Sequence, residues 1–141
     1  MDRLSNIEIF NGIAGKVFAD LYSSFPVHSA IKLPVYAEEL VDPDDYDGYW
    51  QVSEIADATL SWLVESGYIW LDENQCIDEE YRKGVLTPKG LEVLKVVPST
   101  LSQNQSIGEK LLECSKGAFN TGLNETVKQA ISIGAKALVG A

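Results

Sequence analysis

The sequence predicts a mostly α fold with a small β-hairpin, an α+β class, and three observations carry that prediction. Apolar residues recur at three- and four-residue spacing in several segments that open on capping patterns, the mark of amphipathic helices. Only two short runs, 68–71 and 84–87, have the composition of paired strands. An apolar content of 45% in 141 residues is enough to bury one core, which excludes a chain disordered over most of its length and a multidomain enzyme.

The elements follow in order. Ser5-Asn6-Ile7-Glu8 is a capping box, and Phe10, Ile13, Ala14, Val17, Phe18 and Leu21 continue it as a helix over about 6–24. Gly12 and Gly15 inside it are expected where another helix crosses closely. The run Gly12-Ile13-Ala14-Gly15-Lys16-Val17 lacks the spacing, the Ser or Thr after Lys and the preceding strand of a phosphate loop, so packing is the reading. His28 has no catalytic companions and reads as structural. Pro34 suits the first turn of a short helix over 35–41. Residues 42–50 read as an acidic, turn-rich loop, after which Ser53 caps a helix to about Ser66 that Gly67 ends. The hairpin strands are joined by a polar excursion, 72–83, and Thr87-Pro88 opens a helix that runs to Pro98.

Two segments within this order are specific. Ala58-Thr59-Leu60-Ser61-Trp62-Leu63-Val64-Glu65-Ser66-Gly67-Tyr68-Ile69 resembles the recognition helix and its exit in bacterial winged helix-turn-helix domains. Gly84-Val85-Leu86-Thr87-Pro88-Lys89-Gly90-Leu91-Glu92-Val93-Leu94 resembles the returning wing strand and the helix after it. The resemblance covers 6–98 and implies a winged helix-turn-helix fold, whose commonest task is reading DNA. It implies Thr59 and Ser61 on the recognition helix and Arg82 and Lys83 in the wing as DNA contacts.

Charge argues the other way. The chain carries −10 in all, and from Leu33 to Tyr81 there are fourteen Asp and Glu and no Lys or Arg. Asp57, Ser61 and Glu65 form a four-residue stripe opposite the apolar face of the third helix, so carboxylates would meet phosphates. Nucleic acid is therefore disfavoured as a partner. An acidic surface formed by Asp45, Asp47, Tyr49, Trp50, Asp57, Ser61 and Glu65 is expected to bind a protein, with a basic one the natural complement, unless the acids serve only as a solvated face. Tyr46, Tyr49 and Trp50 beside the carboxylates have the chemistry of interface anchors, against the alternative that Tyr49 and Trp50 pack on the third helix.

Special chemistry is sparse. Asp45, Asp47, Gly48 and Glu54 fall on positions three, five, six and twelve of a calcium-binding loop, but position one is Pro43, which has no side-chain oxygen. Two cysteines and one histidine make no metal framework, no nucleophile–base pair stands out, and the expectation is a non-enzyme with no cofactor and no metal. The N-terminus carries no export signal and no apolar run reaches eighteen residues, so a cytoplasmic protein with no membrane span is expected.

The winged domain is expected to occupy 1–98, with a Ser-rich, uncharged linker over 99–105 and a helical extension over 106–141. Ser106-Ile107-Gly108-Glu109 repeats the capping box for a helix to about Ala118, and Asn124 caps a last one. On that last helix Val127, Ala130, Ile131, Gly134 and Leu138 share a face too weak to stand alone in water. Family resemblance favours its use in a homo-oligomer; the winged domain, another protein or a membrane surface are the other covers.

Overall fold

The computed structural model describes residues 4–77, 81–98, 104–115 and 121–139, and its class is α+β: mostly helical, with one three-stranded antiparallel sheet. The order is α1 (Asn6–Ser24), β1 (Ser29–Ile31), α2 (Leu33–Glu39), α3 (Tyr46–Glu65), β2 (Ile69–Ile77), β3 (Tyr81–Leu86), α4 (Pro88–Lys95), α5 (Ile107–Cys114) and α6 (Thr121–Val139). The sheet order is β1-β3-β2, so the hairpin's second strand lies in the middle. In register, Ile31 faces Arg82 and Leu71 faces Gly84.

The capping boxes form as the sequence requires. Ser5 Oγ accepts from Glu8 N at 3.2 Å, and Glu8 Oε1 accepts from Ser5 N at 3.0 Å. Ser106 and Glu109 exchange the same pair at 3.1 Å each. Helix α1 is then the axis of the molecule, buried nearly all round, with Ile13, Val17 and Phe18 fully enclosed. Its Lys16 is buried at 3% exposure, its Nζ bonded to the Glu39 carboxylate of α2 and at 3.2 Å to the Ser115 carbonyl ending α5. The phosphate-loop lookalike is thus helix interior, and its lysine ties three helices together.

Several sequence readings change. The polar excursion expected over 72–83 is largely strand, because β2 runs on to Ile77 and β3 starts at Tyr81. Strand β1 was not legible: three residues without alternation give no period to detect, and it forms only because β3 offers an edge. The acidic loop ends earlier than expected, because Asp45 rather than Ser53 caps α3, its Oδ1 accepting from Gly48 N at 2.9 Å. That helical start also fans Asp45, Asp47 and Glu54 around a cylinder and removes the calcium-loop path. Helix α6 begins at Thr121, ahead of Asn124.

The exit of α3 explains the two specific motifs. Gly67, at φ +82°, takes the left-handed position, while Gly67 N bonds Val64 O at 3.1 Å and Tyr68 N bonds Leu63 O at 3.0 Å. Thr87 Oγ1 donates to Gly67 O and accepts from Gly90 N at 3.0 Å, and Lys89 Nζ reaches Ser66 O at 2.7 Å. Lys89 Nζ also sits 4.4 Å over the Tyr68 ring. A side chain at position 90 would collide with the Tyr68 carbonyl. Threonine, lysine and glycine after β3 are therefore the lock on the helix α3 terminus.

The C-terminal helices contribute Ile107, Leu111, Leu123, Val127 and Ala130 to the same buried cluster as α1, α3 and the sheet. A Cβ on Gly15 would lie 2.9 Å from Val127 Cγ2, which locates the close helix crossing at α6. The expected linker positions 99–103 lie outside the described residues. Among the described residues no helix is long and apolar enough to cross a membrane.

Candidate functional site

Helix α3 buries Val52, Ala56, Thr59, Leu60 and Leu63 and turns its opposite face to water. Because residues three and four apart lie on one side of a helix, that face collects Tyr46, Trp50, Glu54, Asp57, Ser61 and Glu65, all exposed. Asp47 is exposed beside them and Asp45 caps the helix. Four carboxylates, from Asp47, Glu54, Asp57 and Glu65, thus line a twenty-residue helix that holds no Lys or Arg.

The aromatic residues are not absorbed by the core. Trp50 is 56% exposed and Tyr46 71% exposed. Tyr46 and Tyr49 meet Trp50 edge-on, at centroid distances of 6.0 and 5.5 Å and interplanar angles of 74° and 75°. The packed alternative therefore fails for Trp50, and Tyr49 takes the half-buried position instead. Trp62, 40% exposed, lies on the next flank, edge-on to Phe10 at 5.2 Å and stacked over Tyr68 at 6.0 Å. No sequence signal separated Trp62 from a core residue, since its exposure depends on how far Phe10 and Tyr68 cover it.

The residues expected to read DNA differ in exposure and lie on two elements. Thr59 is 2% exposed and turned inward, its hydroxyl donating to Ile55 O at 2.7 Å. This is a correction: in three- and four-residue steps from Val52 through Ala56 to Leu63, the position falls on the side of α3 that packs into the core. Ser61 is exposed but lies between Asp57 and Glu65. Arg82 is exposed on β3 and Lys83 half-buried beside it, paired in register with Asp72.

Between α3 and the sheet runs an open groove of about 300 Å³, lined by Ile31, Leu33, Leu60 and Leu71, with Asp57, Ser61 and Arg82 at its rim. The sequence did not reveal it, because one wall contains β1. The face expected to make oligomers has a different place. Val127 and Ala130 are fully buried within the chain, Ile131 is packed against the same core, and Gly134 abuts the Tyr68 hydroxyl. Leu138 lies outside the residues whose side chains are described. That face is covered by α1 and Tyr68, so a second copy would have to displace them to use it.

Among the described residues no three His, Cys, Asp or Glu side chains converge as a metal site. Comparison with known protein families, characterised proteins and solved structures gives no match for this chain.

Proposed function

We propose that this chain is a non-catalytic winged helix-turn-helix module that captures a basic segment of another protein on the exposed face of α3. The single observation that carries the reading is the coincidence, on that face, of exposed Tyr46 and Trp50 with Asp47, Glu54, Asp57 and Glu65, with no cation between residues 33 and 81. Aromatic rings supply area at low entropy cost, carboxylates supply steering and register, and together they suit Lys- and Arg-rich sequence. Support for the fold part is the helix–strand–helix–helix–hairpin–helix order with the sheet ordered β1-β3-β2.

Glu65 adds to the argument. It sits in the last turn of α3, where a carboxylate opposes the helix dipole at about 0.3–1 kcal/mol, and the cation at that helix end is Lys89 of α4, bonded to the Ser66 carbonyl. Its exposed carboxylate extends the acidic face to the end of the helix.

The second reading, a DNA-binding regulator, rests on the same element order and on exposed Arg82 with Lys83. One titration separates the two. A fluorescein-labelled Lys/Arg-rich peptide and a labelled duplex DNA are followed by anisotropy at low and moderate salt. Peptide binding that weakens with salt, and that falls about tenfold or more in Trp50→Ala at unchanged Tm, supports the module reading. Duplex binding with no peptide binding overturns it in favour of the regulator.

A further inference from the structure

Acids on the later helices differ from those on α3 in having a lysine one turn away. Glu92 lies 3.7 Å from Lys95 on α4, Glu113 3.8 Å from Lys110 on α5, and Glu125 3.4 Å from Lys128 on α6. Helix α3 offers its acids no such neighbour, since it contains no Lys or Arg. Among the described residues no ion pair reaches Asp47 or Glu54.

Between these two carboxylates stands an aromatic ring. Trp50 follows Asp47 by three residues and precedes Glu54 by four, so the three share one side of the helix, about 4.5 and 6 Å apart along its axis. The Tyr46 and Tyr49 rings stand at 74° and 75° to the indole, so neither phenol lies flat on it. With Trp50 56% exposed, indole surface remains open to water between the two acids.

A cation can use this arrangement in two ways. An ammonium is a compact, strongly hydrated charge, whereas a guanidinium is flat, more weakly hydrated and able to stack on an aromatic face. Laid on the indole, a guanidinium keeps its N–H groups around its rim, directed along the protein surface toward carboxylates one turn away. Stacking and a forked pair are then open to the same group at once. Of the two acids, Asp47 is already favourably placed in the first turn of α3, at the positive end of the helix dipole. Glu54, in mid-helix, has no such partner, and its longer arm leans back toward the turn of Trp50.

Resting on the module reading above, we infer that Trp50 and Glu54 read an arginine of the basic partner segment, its guanidinium stacked on the indole and forked to the Glu54 carboxylate. Asp47 adds attraction from the other side. The face thereby selects arginine over lysine, where carboxylates alone would accept either.

The test compares two fluorescein-labelled peptides of equal length and charge, one Arg/Ser and one Lys/Ser, by anisotropy on the full chain at low salt. The arginine peptide is expected to bind about fivefold tighter, the size of effect that one exposed stack and one forked pair produce together. Trp50→Leu is expected to bring that ratio below about twofold, and Glu54→Gln to lower it about twofold. Equal binding of the two peptides overturns the arginine assignment and leaves the basic-partner reading standing. A preference that survives Trp50→Leu undiminished overturns it as well, because it then belongs to acidic surfaces in general. Absence of binding by either peptide overturns both readings. Should Trp50→Leu not fold, Glu54→Gln decides alone, and an unchanged ratio in that variant overturns the assignment.

Discussion

Helices α1 and α3 are nearly equal in length, nineteen and twenty residues, yet they occupy opposite situations. Eleven residues of α1 are buried, on every side; α3 buries six, on one side, and leaves its acids and two aromatic rings in water. The difference lies in which neighbours arrive. Helices α3, α5 and α6 and the strand β1 all close on α1, whereas α3 packs chiefly on α1 and α2. One helix holds the molecule together, and the other is held out. Substitutions on α1 should therefore register in stability, and those on the outer face of α3 in binding.

The largest stability effect belongs to the axis. Phe18 is fully buried and edge-on to Tyr68 at 5.6 Å, so Phe18→Ala removes a large side chain from the centre of the core. We expect a loss of about 3–5 kcal/mol, read by chemical denaturation, with the cavity accounting for part of it. A loss below about 1 kcal/mol would mean that α1 is not the axis and would break the comparison.

Next is the buried ammonium of Lys16. Glu39 is 37% exposed and can rehydrate, whereas Lys16 at 3% cannot. Removing the carboxylate should therefore hurt more than removing the cation. Glu39→Gln is expected to destabilise by about 1–2 kcal/mol, and Lys16→Met, similar in volume, by less. The reverse ranking would show that the carboxylate, not the ammonium, is the costly group.

Much of this contrast was legible in the sequence, and the illegible part has a physical cause. The caps of α1, α4 and α5 are local, each written in four residues, and they form where Ser5, Thr87 and Ser106 stand. The apolar spacing that buries α1 was equally local. What escaped were features made by distant residues meeting: β1, defined by its register with β3; the groove, walled by both; and the burial of Thr59, decided by how α3 rolls on α1. The α6 face was read correctly as needing a cover, but a sequence pattern of small residues does not state whether the cover is another copy or α1.

A smaller effect tests the contact of α1 with α2. The Tyr36 hydroxyl, buried, donates to the Asp20 carboxylate, and burial first, then that carboxylate, pushes the phenol far above its ordinary range. A raised native value means the folded state holds its proton when the unfolded state releases it. Tyr36 therefore leaves stability intact below about pH 10, and stability falls as pH rises beyond that. Tyr36→Phe is expected to lose about 1 kcal/mol at neutral pH and to show a shallower decline above pH 10, measured by denaturation at stepped pH. An alkaline decline identical to that of the unsubstituted chain would show that other groups govern it.

The smallest effect has the opposite sign and is the sharpest test of α3. Glu65 is exposed in the last turn of that helix, where its charge opposes the carbonyl end of the dipole. Glu65→Lys replaces an unfavourable charge with a favourable one and lowers the acidity of the whole face, so the variant should be more stable by about 0.5 kcal/mol. On an inert solvated surface that gain would be the only consequence. On a surface that captures a basic segment, the same change introduces repulsion next to Ser61 and Asp57, and affinity for the Lys/Arg-rich peptide should fall several-fold, most strongly at low salt. A variant that gains stability without losing peptide affinity would return the acids of α3 to solvation alone. The two readings of the charge thus diverge at one residue, with stability and binding moving in opposite directions only if α3 is a docking face.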